Sequence, residues 1–228
     1  VRRLGYLALG AVVVQGILGG ITVLWYLPDA ISIAHASLAQ IVFCLTATIA
    51  LATSTGWRRG YGQGTGDRGQ ARGGRGQGEE DRTLQRTAIA TTAVIYAQIL
   101  IGATMRHTGA GLAIPDFPLS FGHLVPPFWD WKIAIHFAHR VGAATATVLI
   151  GATTGRVFLQ HARRGELRRP ALLLLILLVL QITLGALTVL SLKQFLINSL
   201  HVVNGALVLV TSLVLALRAH RSRFADAG

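Results

Sequence analysis

Four histidines lie within long apolar stretches of this sequence, where an ionisable side chain is expensive and usually functional. His136 and His139 stand one helical turn apart, directly before Arg140, at the start of one stretch. His35 and His201 lie near the start of two others. Imidazoles in such positions can hydrogen-bond a neighbouring helix, relay protons or bind a metal. For a single histidine, helix–helix hydrogen bonding is the simplest interpretation, but four at one depth favour a shared site.

The surrounding residue types narrow the choice of metal. Zinc takes about four ligands in a tetrahedron, usually with carboxylate or thiolate help. No Asp or Glu lies inside these stretches, and Cys44 is about two and a half helical turns beyond His35. Two imidazoles from facing helices can instead bind a haem iron from opposite sides within an apolar bundle. We therefore predict a bis-histidine haem ligated by His201 and by either His136 or His139.

The other histidine of that pair is expected to hydrogen-bond a haem edge or to relay a proton. Small residues on the two helices should leave room for the porphyrin: Gly142, Ala143, Ala144 and Gly205. His107 and His123 flank a long loop, and their roles stay open. His161 and His220 lie in arginine-rich segments and are expected to be solvated.

Composition indicates that lipid surrounds most of the chain. Of its 228 residues, 52% are hydrophobic and 13% are charged, against about a quarter charged in soluble domains. Six stretches reach the roughly 20 residues that a membrane helix needs: Leu4–Tyr26, Ile31–Ser54, Thr83–Met105, Lys132–Leu159, Pro170–Leu190 and Phe195–Leu217. Because the backbone must satisfy its own hydrogen bonds in lipid, the sequence predicts an all-α membrane protein with six transmembrane helices.

The arginines give the orientation. They cluster before the first span, between the second and third, between the fourth and fifth, and after the sixth, and the alternate connections are nearly free of them. The positive-inside rule then places both termini in the cytoplasm of a bacterial-type inner membrane. The net charge is +12, but the arginines are separated by apolar spans instead of forming one patch, so we expect no nucleic-acid partner.

Two of the connections have distinctive compositions. Residues 55–82 are rich in glycine and arginine and are predicted to form a flexible cytoplasmic linker. The connection that begins "RHTGAGLAIPDFPLSFG" is long, aromatic and rich in proline. We expect it to fold back over the outer surface, with Trp129 and Trp131 at the membrane interface.

An internal repeat relates the two ends of the chain. The segment "QGILGGITVL" from Gln15 matches "QITLGALTVL" from Gln181, and the same offset of 166 residues takes His35 to His201. A weaker third copy, "QILIGATMRH", begins at Gln98. Repeats of this kind in membrane proteins usually indicate a pseudo-symmetric bundle with its site between helices.

Several motifs together resemble the haem A synthase family (CtaA/Cox15). The loop motif above, "HFAHRVGA", "QITLGALTVL" and "SLHVVNGAL" resemble the second half of that family. "QGILGGITVL" with "IAHASLAQ" resembles the end of its first half. The resemblance implies eight membrane helices in two four-helix bundles. This chain would then hold half of the first bundle (1–54), a linker (55–82), a complete haem b bundle (83–218) and a cytoplasmic tail (219–228).

The resemblance also implies roles for individual residues. His139 and His201 would be the axial ligands of a resident haem b, and His35 would bind the iron of the substrate, haem O, which the family oxidises at a methyl group to the formyl of haem A. The family's glutamate, considered catalytic, precedes the first-half His-Arg motif in a segment with no counterpart here. His136 occupies the equivalent place in the second half as a possible supporting residue, so no catalytic residue is assigned.

Other features depart from the family pattern. Its first two helices have no counterpart, so we expect a truncated chain that does not form haem A alone. Ile114 and Ser120 stand where many members have cysteines. Expected partners are membrane lipid, haem O, haem O synthase, an unidentified electron donor and a second copy of the chain. The alternatives are a b-type electron-transfer cytochrome and a non-haem transport or assembly protein.

Overall fold

The computed structural model describes residues 1–58 and 75–225, and the regular elements of this part of the chain are all α-helices. The helices are α1 (Arg2–Leu24), α2 (Asp29–Thr53), α3 (Thr55–Arg58), α4 (Arg75–His107), α5 (Trp131–Gln160), α6 (Gly165–Leu190) and α7 (Phe195–Ala225). All except the short α3 are long and apolar enough to cross a membrane. The predicted all-helical fold with six spans is confirmed, and the chain is a multi-pass membrane protein.

Helix α4 extends further toward the glycine-rich segment than the sequence predicts. It begins at Arg75, whereas the predicted span begins at Thr83. Within this extension the Asp81 carboxylate lies 3.2 Å from the Arg164 guanidinium and 3.7 Å from Nδ1 of His161. These contacts with the α5–α6 connection anchor the extra turns in a way that local composition does not reveal. Residues 59–74 of the predicted linker lie outside the described residues.

Helices α4 to α7 form a four-helix bundle in which α4 and α6 each pack against α5 and α7. Side chains with almost no exposed surface fill its centre: Leu84, Ile150, Val157, Leu167, Leu174, Leu209 and Leu215. Hydroxyl groups join the helices across this core. Thr91 bonds Thr153 at 2.8 Å, and Thr92 bonds Ser212 at 2.8 Å. Such hydrogen bonds contribute roughly 0.6–2 kcal/mol each between membrane helices.

Helices α1 and α2 form a hairpin beside this bundle. Helix α2 packs against α4 and α7, whereas α1 contacts α2 alone among the described helices. Thr22 is the single buried residue of α1, and apolar side chains such as Leu7 and Leu9 are more than half exposed. The structure therefore contains one complete bundle and one hairpin, whose outer helix presents an apolar surface of the kind that lipid covers.

The internal repeat also appears in the way three helices end. The backbone N–H groups of Leu27, Ala110 and Lys193 bond the carbonyl five residues earlier at 2.7, 2.9 and 2.8 Å. This is the Schellman ending, in which the preceding residue takes a positive φ: Tyr26 (55°), Gly109 (69°) and Leu192 (55°). The helices that carry the three sequence copies, α1, α4 and α6, thus share one local structure.

The connection between α4 and α5 packs against the bundle, and its predicted position over the outer membrane surface stays a prediction. Ala110 and Ile114 have no exposed surface, and Ser120 has almost none. Trp129 and Trp131 are more than half exposed at the end of the same connection. The loop therefore covers protein with its small and aliphatic residues and leaves two indole rings free to meet a membrane interface.

Candidate functional site

Three of the four predicted site histidines occupy the same local environment. His35, His139 and His201 lie near the starts of α2, α5 and α7, and each imidazole packs over a glycine of another helix. A Cβ atom at that glycine would approach the histidine Cε1 too closely in all three copies: Gly19 to His35 at 3.0 Å, Gly102 to His139 at 2.9 Å and Gly185 to His201 at 3.1 Å. The missing side chain at the glycine is what admits the ring.

A glutamine stands four residues before each of these glycines, on the same face of its helix. Nε2 of Gln98 lies 3.0 Å from Nδ1 of His139. In the other two copies, Nε2 of Gln15 and of Gln181 lies 3.5 Å from Nε2 of the corresponding histidine. We call each set of glutamine, glycine and histidine a histidine cradle.

The signal for the cradles is present in the sequence as "QGILG", "QILIG" and "QITLG". Sequence reasoning interprets these segments only as a repeat, because spacing along one helix does not show which side chain on another helix will face it. The structure adds the missing pairing: each glutamine and glycine face a histidine.

The glycines predicted to make room for a porphyrin have other neighbours. A Cβ atom at Gly142 would collide with Oε1 of Gln98, and one at Gly205 would lie 3.2 Å from Nε2 of Gln181. Ala144 is exposed. In this structure the lack of a side chain at Gly142 and Gly205 leaves space for the glutamines that contact the histidines, and the role of these glycines beside a porphyrin stays a prediction.

Two of the cradled histidines belong to the four-helix bundle. His139 on α5 lies within electrostatic range of His201 on α7 and of His136 on its own helix. His35 belongs to the α1–α2 hairpin and has a cradle of its own. The cradled imidazoles thus fall into two groups, the pair His139 and His201 in the bundle and His35 in the hairpin.

Buried polar atoms without a hydrogen-bond partner concentrate in these cradles. They include Nδ1 of His35 and of His201, and Oε1 of Gln15 and of Gln98. A buried polar atom left unpaired costs about 1–3 kcal/mol, so such atoms call for an explanation and are often found at binding sites. Imidazole nitrogens are the axial donors that haem iron accepts, so the residues at the paired site fit a haem.

His136 contacts the loop between α4 and α5. Its side chain is almost completely buried, and Nδ1 accepts a hydrogen bond from the backbone N–H of Ile114 at 3.1 Å. This contact shows one thing that His136 does, which is to hold the loop near the start of α5. Its predicted support of a haem edge or a proton path stays a prediction.

Arg140 lies one turn further along α5 and also holds the loop. Its guanidinium donates to the carbonyl of Leu119 at 2.6 Å, to that of Ile114 at 3.3 Å and to that of Asp116. It also lies 3.5 Å from the Ser120 hydroxyl. His136 and Arg140 together form what we call the loop clasp. The clasp explains why a histidine and an arginine begin an otherwise apolar helix.

Asp116 closes a turn within the clasped loop. Its two carboxylate oxygens accept the backbone N–H groups of Phe121 at 2.8 Å and Gly122 at 2.9 Å. Hydrogen bonds from Gly122 and Phe121 to the ionised form hold the pKa of Asp116 below its ordinary value. Gly122 has a φ of 78°, a conformation that glycine adopts without strain.

The four remaining histidines lie away from the cradles. His107 is half-buried in the last turn of α4, and His123 is exposed in the loop. His220 bonds the Ala216 carbonyl of its own helix at 2.8 Å. His161 is buried beside Asp81, so the prediction that it is solvated is wrong, because the α4 extension covers it. The described residues contain no group of three or more His, Cys, Asp or Glu side chains that could hold a bare metal ion.

Comparison with known proteins gives a consistent family. A family model described as cytochrome oxidase assembly protein matches residues 1–214. A heme A synthase from Symbiobacterium thermophilum is 34% identical over 205 residues, which cover 88% of this chain and 62% of that protein. A heme A synthase from Sphingopyxis alaskensis is 32% identical over 167 residues, or 67% of this chain and 45% of that protein. The chain spans less than two thirds of the length of these relatives.

Proposed function

Because this chain belongs to the COX15-CtaA family of cytochrome oxidase assembly proteins, we propose that it is a haem A synthase-like oxidoreductase. The proposed reaction oxidises the methyl group of haem O to the formyl group of haem A. The proposed location is a bacterial inner membrane, with both termini in the cytoplasm. The heme A synthases among its relatives and the resemblance of its motifs support this reaction.

The observation that carries the proposal is the pair of cradled imidazoles in one apolar bundle. His139 on α5 and His201 on α7 belong to one four-helix bundle, and each ring is set over a glycine. In the proposal these two side chains hold a resident haem b, which supplies one-electron redox chemistry when bound. The apolar core excludes water from the site, and the clasped loop covers the outer end of the bundle.

The proposed binding of the substrate, haem O, rests on His35. Its cradle repeats the geometry of the other two, which supports a role as an axial ligand for haem O. The hairpin offers one such imidazole among the described residues, and a second ligand from another helix would complete that site. The proposed partners are membrane lipid, an enzyme that forms haem O, an electron donor and a second copy of this chain.

The first experiment tests the resident haem. The purified protein should show a low-spin b-type spectrum with about one haem per chain, because two imidazoles give the iron a strong ligand field. His139→Ala and His201→Ala should each lose the haem or turn it high-spin. His123→Ala is the control, since that side chain is exposed in the loop. An unchanged spectrum in His201→Ala would remove His201 from the site.

A second experiment separates the proposal from its two alternatives. The chain is co-expressed with a haem O synthase in a host that has no other haem A synthase, and the haems are extracted. The chain is produced in two forms, one unfused and one fused to the first two helices of a longer relative. We expect haem A only from the fused form. Redox-active haem b without haem A in either form favours an electron-transfer cytochrome, and no haem at all favours a transport or assembly protein.

A further inference from the structure

The Gln98 side chain is placed between two groups of the same histidine. Its Nε2 lies 3.0 Å from Nδ1 of His139 and donates to the His139 backbone carbonyl at 2.7 Å. The glutamine therefore contacts both the ring and the backbone of a residue 41 positions away on another helix. Because Gln98 contacts both the ring and the backbone carbonyl of His139, it limits rotation of the ring and movement of α5 along α4.

The space around Gln98 has the form needed to hold this side chain. The absence of a Cβ at Gly142 leaves room for Oε1, and the absence of one at Gly102 lets the His139 ring approach α4. Oε1 itself is buried and has no hydrogen-bond partner. An amide group that is confined in this way and keeps an unpaired oxygen has an unused acceptor beside the imidazole.

A histidine that binds a metal needs an acceptor of this kind beside its other ring nitrogen. When one ring nitrogen binds a metal, the other carries the ring proton and donates it to a nearby acceptor, which fixes the tautomer and makes the ligand more basic. If Nε2 of His139 binds iron, Nδ1 must donate. A shift of the terminal amide of Gln98 that brings Oε1 to Nδ1, while Nε2 keeps its donation to the His139 carbonyl, supplies that acceptor, and amide orientation is set by such networks.

The repeat supplies independent support. Gln15 donates to the His35 carbonyl at 3.1 Å, as Gln98 does to that of His139. Gln181 is held differently, because Nδ2 of Asn204 donates to its Oε1 at 2.8 Å. A glutamine thus accompanies a histidine in all three copies, although the surrounding helices differ. In the copies of Gln15 and Gln181 the glutamine lies 3.5 Å from ring Nε2, whereas Gln98 lies beside Nδ1, so the argument about the tautomer applies to Gln98.

We propose that Gln98 is a positioning residue for His139, fixing its ring orientation and tautomer for iron ligation. The inference rests on the proposed haem b site. It assigns to Gln98 a role that neither the repeat nor the resemblance had given it.

The experiment compares Gln98→Leu and Gln98→Glu with the wild type in haem affinity and reduction potential. Gln98→Leu should bind haem about 10- to 100-fold more weakly, the usual effect of losing such a partner. Its potential should rise, because a histidine without an acceptor donates less charge to the iron. Gln98→Glu keeps a carboxyl acceptor, so haem binding should persist at a potential no higher than that of the wild type.

Gln85→Leu is the matched control. Gln85 is a buried glutamine of the same helix, and it donates to the Ala219 carbonyl at 3.1 Å, at the other end of the bundle. Its loss should lower the stability of the protein and leave the haem potential unchanged. A potential shift of equal size in Gln85→Leu would show that loosening of the bundle, and not positioning of His139, causes the effect.

The outcomes separate this inference from the proposed function. A low-spin haem in the wild type with unchanged affinity and potential in Gln98→Leu overturns the positioning role and leaves the haem site standing. A wild type without haem overturns both. If Gln98→Leu does not fold, Gln98→Glu decides, because a potential above that of the wild type in this variant contradicts the role of the acceptor.

Discussion

The hairpins α1–α2 and α6–α7 are two copies of one unit in different surroundings. Each has a Schellman ending, a glycine under a histidine ring and a glutamine beside that ring. Helix α6 packs against α5 and α7 inside the bundle, whereas α1 contacts only α2 among the described helices. The local geometry is nearly the same in both places, although the packing is not.

The comparison shows which features arise within a hairpin and which arise when helices pack into the bundle. Among the described helices α1 contacts α2 alone, so the glutamine and glycine of this cradle meet their histidine without a further helix packed against α1. The second cradled imidazole comes from packing, because α6 lies beside both α5 and α7 and so brings the helices of His139 and His201 into one bundle. The repeated unit therefore supplies one imidazole, and the bundle supplies the proposed pair.

The largest expected difference between the two hairpins is in haem binding after the equivalent histidine is removed from each. His201→Ala should abolish the low-spin haem, because one of its two axial ligands is lost. His35→Ala should keep about one low-spin haem per chain, since the resident haem does not depend on the hairpin. Haem stoichiometry and the visible spectrum measure both. Loss of the resident haem in His35→Ala would mean that the two cradles form one site.

The glycines of the cradles give the next largest effect. A Cβ in Gly185→Ala would lie 3.1 Å from Cε1 of His201 and would push the ring away. Overpacking of this kind costs about 1–3 kcal/mol, so haem binding should weaken roughly 5- to 150-fold. Gly19→Ala creates the same contact with His35 and should leave the resident haem unchanged. Haem titration of the two purified variants measures the difference.

Gly16→Ala is the control for that pair. No atom lies within 4 Å of the position where its Cβ would stand, so the change adds a methyl group without a collision. Alanine also favours a helix more than glycine does. Weakened haem binding in Gly16→Ala would show that the effect belongs to the helix and not to the cradle.

The sequence predicts the helices well and the contacts between them poorly. Apolar runs and arginine-rich connections indicate all six spans, because lipid imposes a strong pattern on composition. The repeat identifies His35 and His201 as equivalents. The glutamine–histidine pairing, the loop clasp and the burial of His161 all depend on which helix faces which. That information lies in packing, and one sequence does not contain it in a readable form.

The two hairpins also differ in their contact with the loop between α4 and α5. This loop covers the α6–α7 hairpin. A Cβ at Gly111 would lie 2.7 Å from Cε of Lys193, so the loop touches the α6–α7 turn. Asp116→Asn weakens the turn that shapes this loop, because a neutral amide accepts backbone N–H groups less strongly than a carboxylate does. We expect faster proteolysis of the loop at neutral pH, with Asp29→Asn at the start of α2 as the control.

The same carboxylate makes the loop sensitive to acid. The pKa of Asp116 is lowered in the folded protein, so its stabilisation is present above the ordinary carboxyl pKa of about 3.9 and is lost as the pH falls through the folded value. The wild-type loop should become protease-sensitive in that acidic range, whereas Asp116→Asn should show little pH dependence there. Equal pH dependence in the two proteins would assign the acid response to another group.

The smallest effect is expected from making one turn resemble the other. Lys193 and Leu27 are equivalent in the repeat, with φ values of 64° and 61°. Lys193→Leu should therefore keep the turn and change the stability by no more than about 0.5 kcal/mol. Lys193 is also within electrostatic range of His136 in the clasp, so the substitution removes a positive charge near that histidine.

A changed melting temperature with an unchanged haem would mean that the contact between Lys193 and the loop contributes to stability. A changed haem spectrum would show that the charge acts on the site, and would mean that the hairpins differ in chemistry as well as in packing.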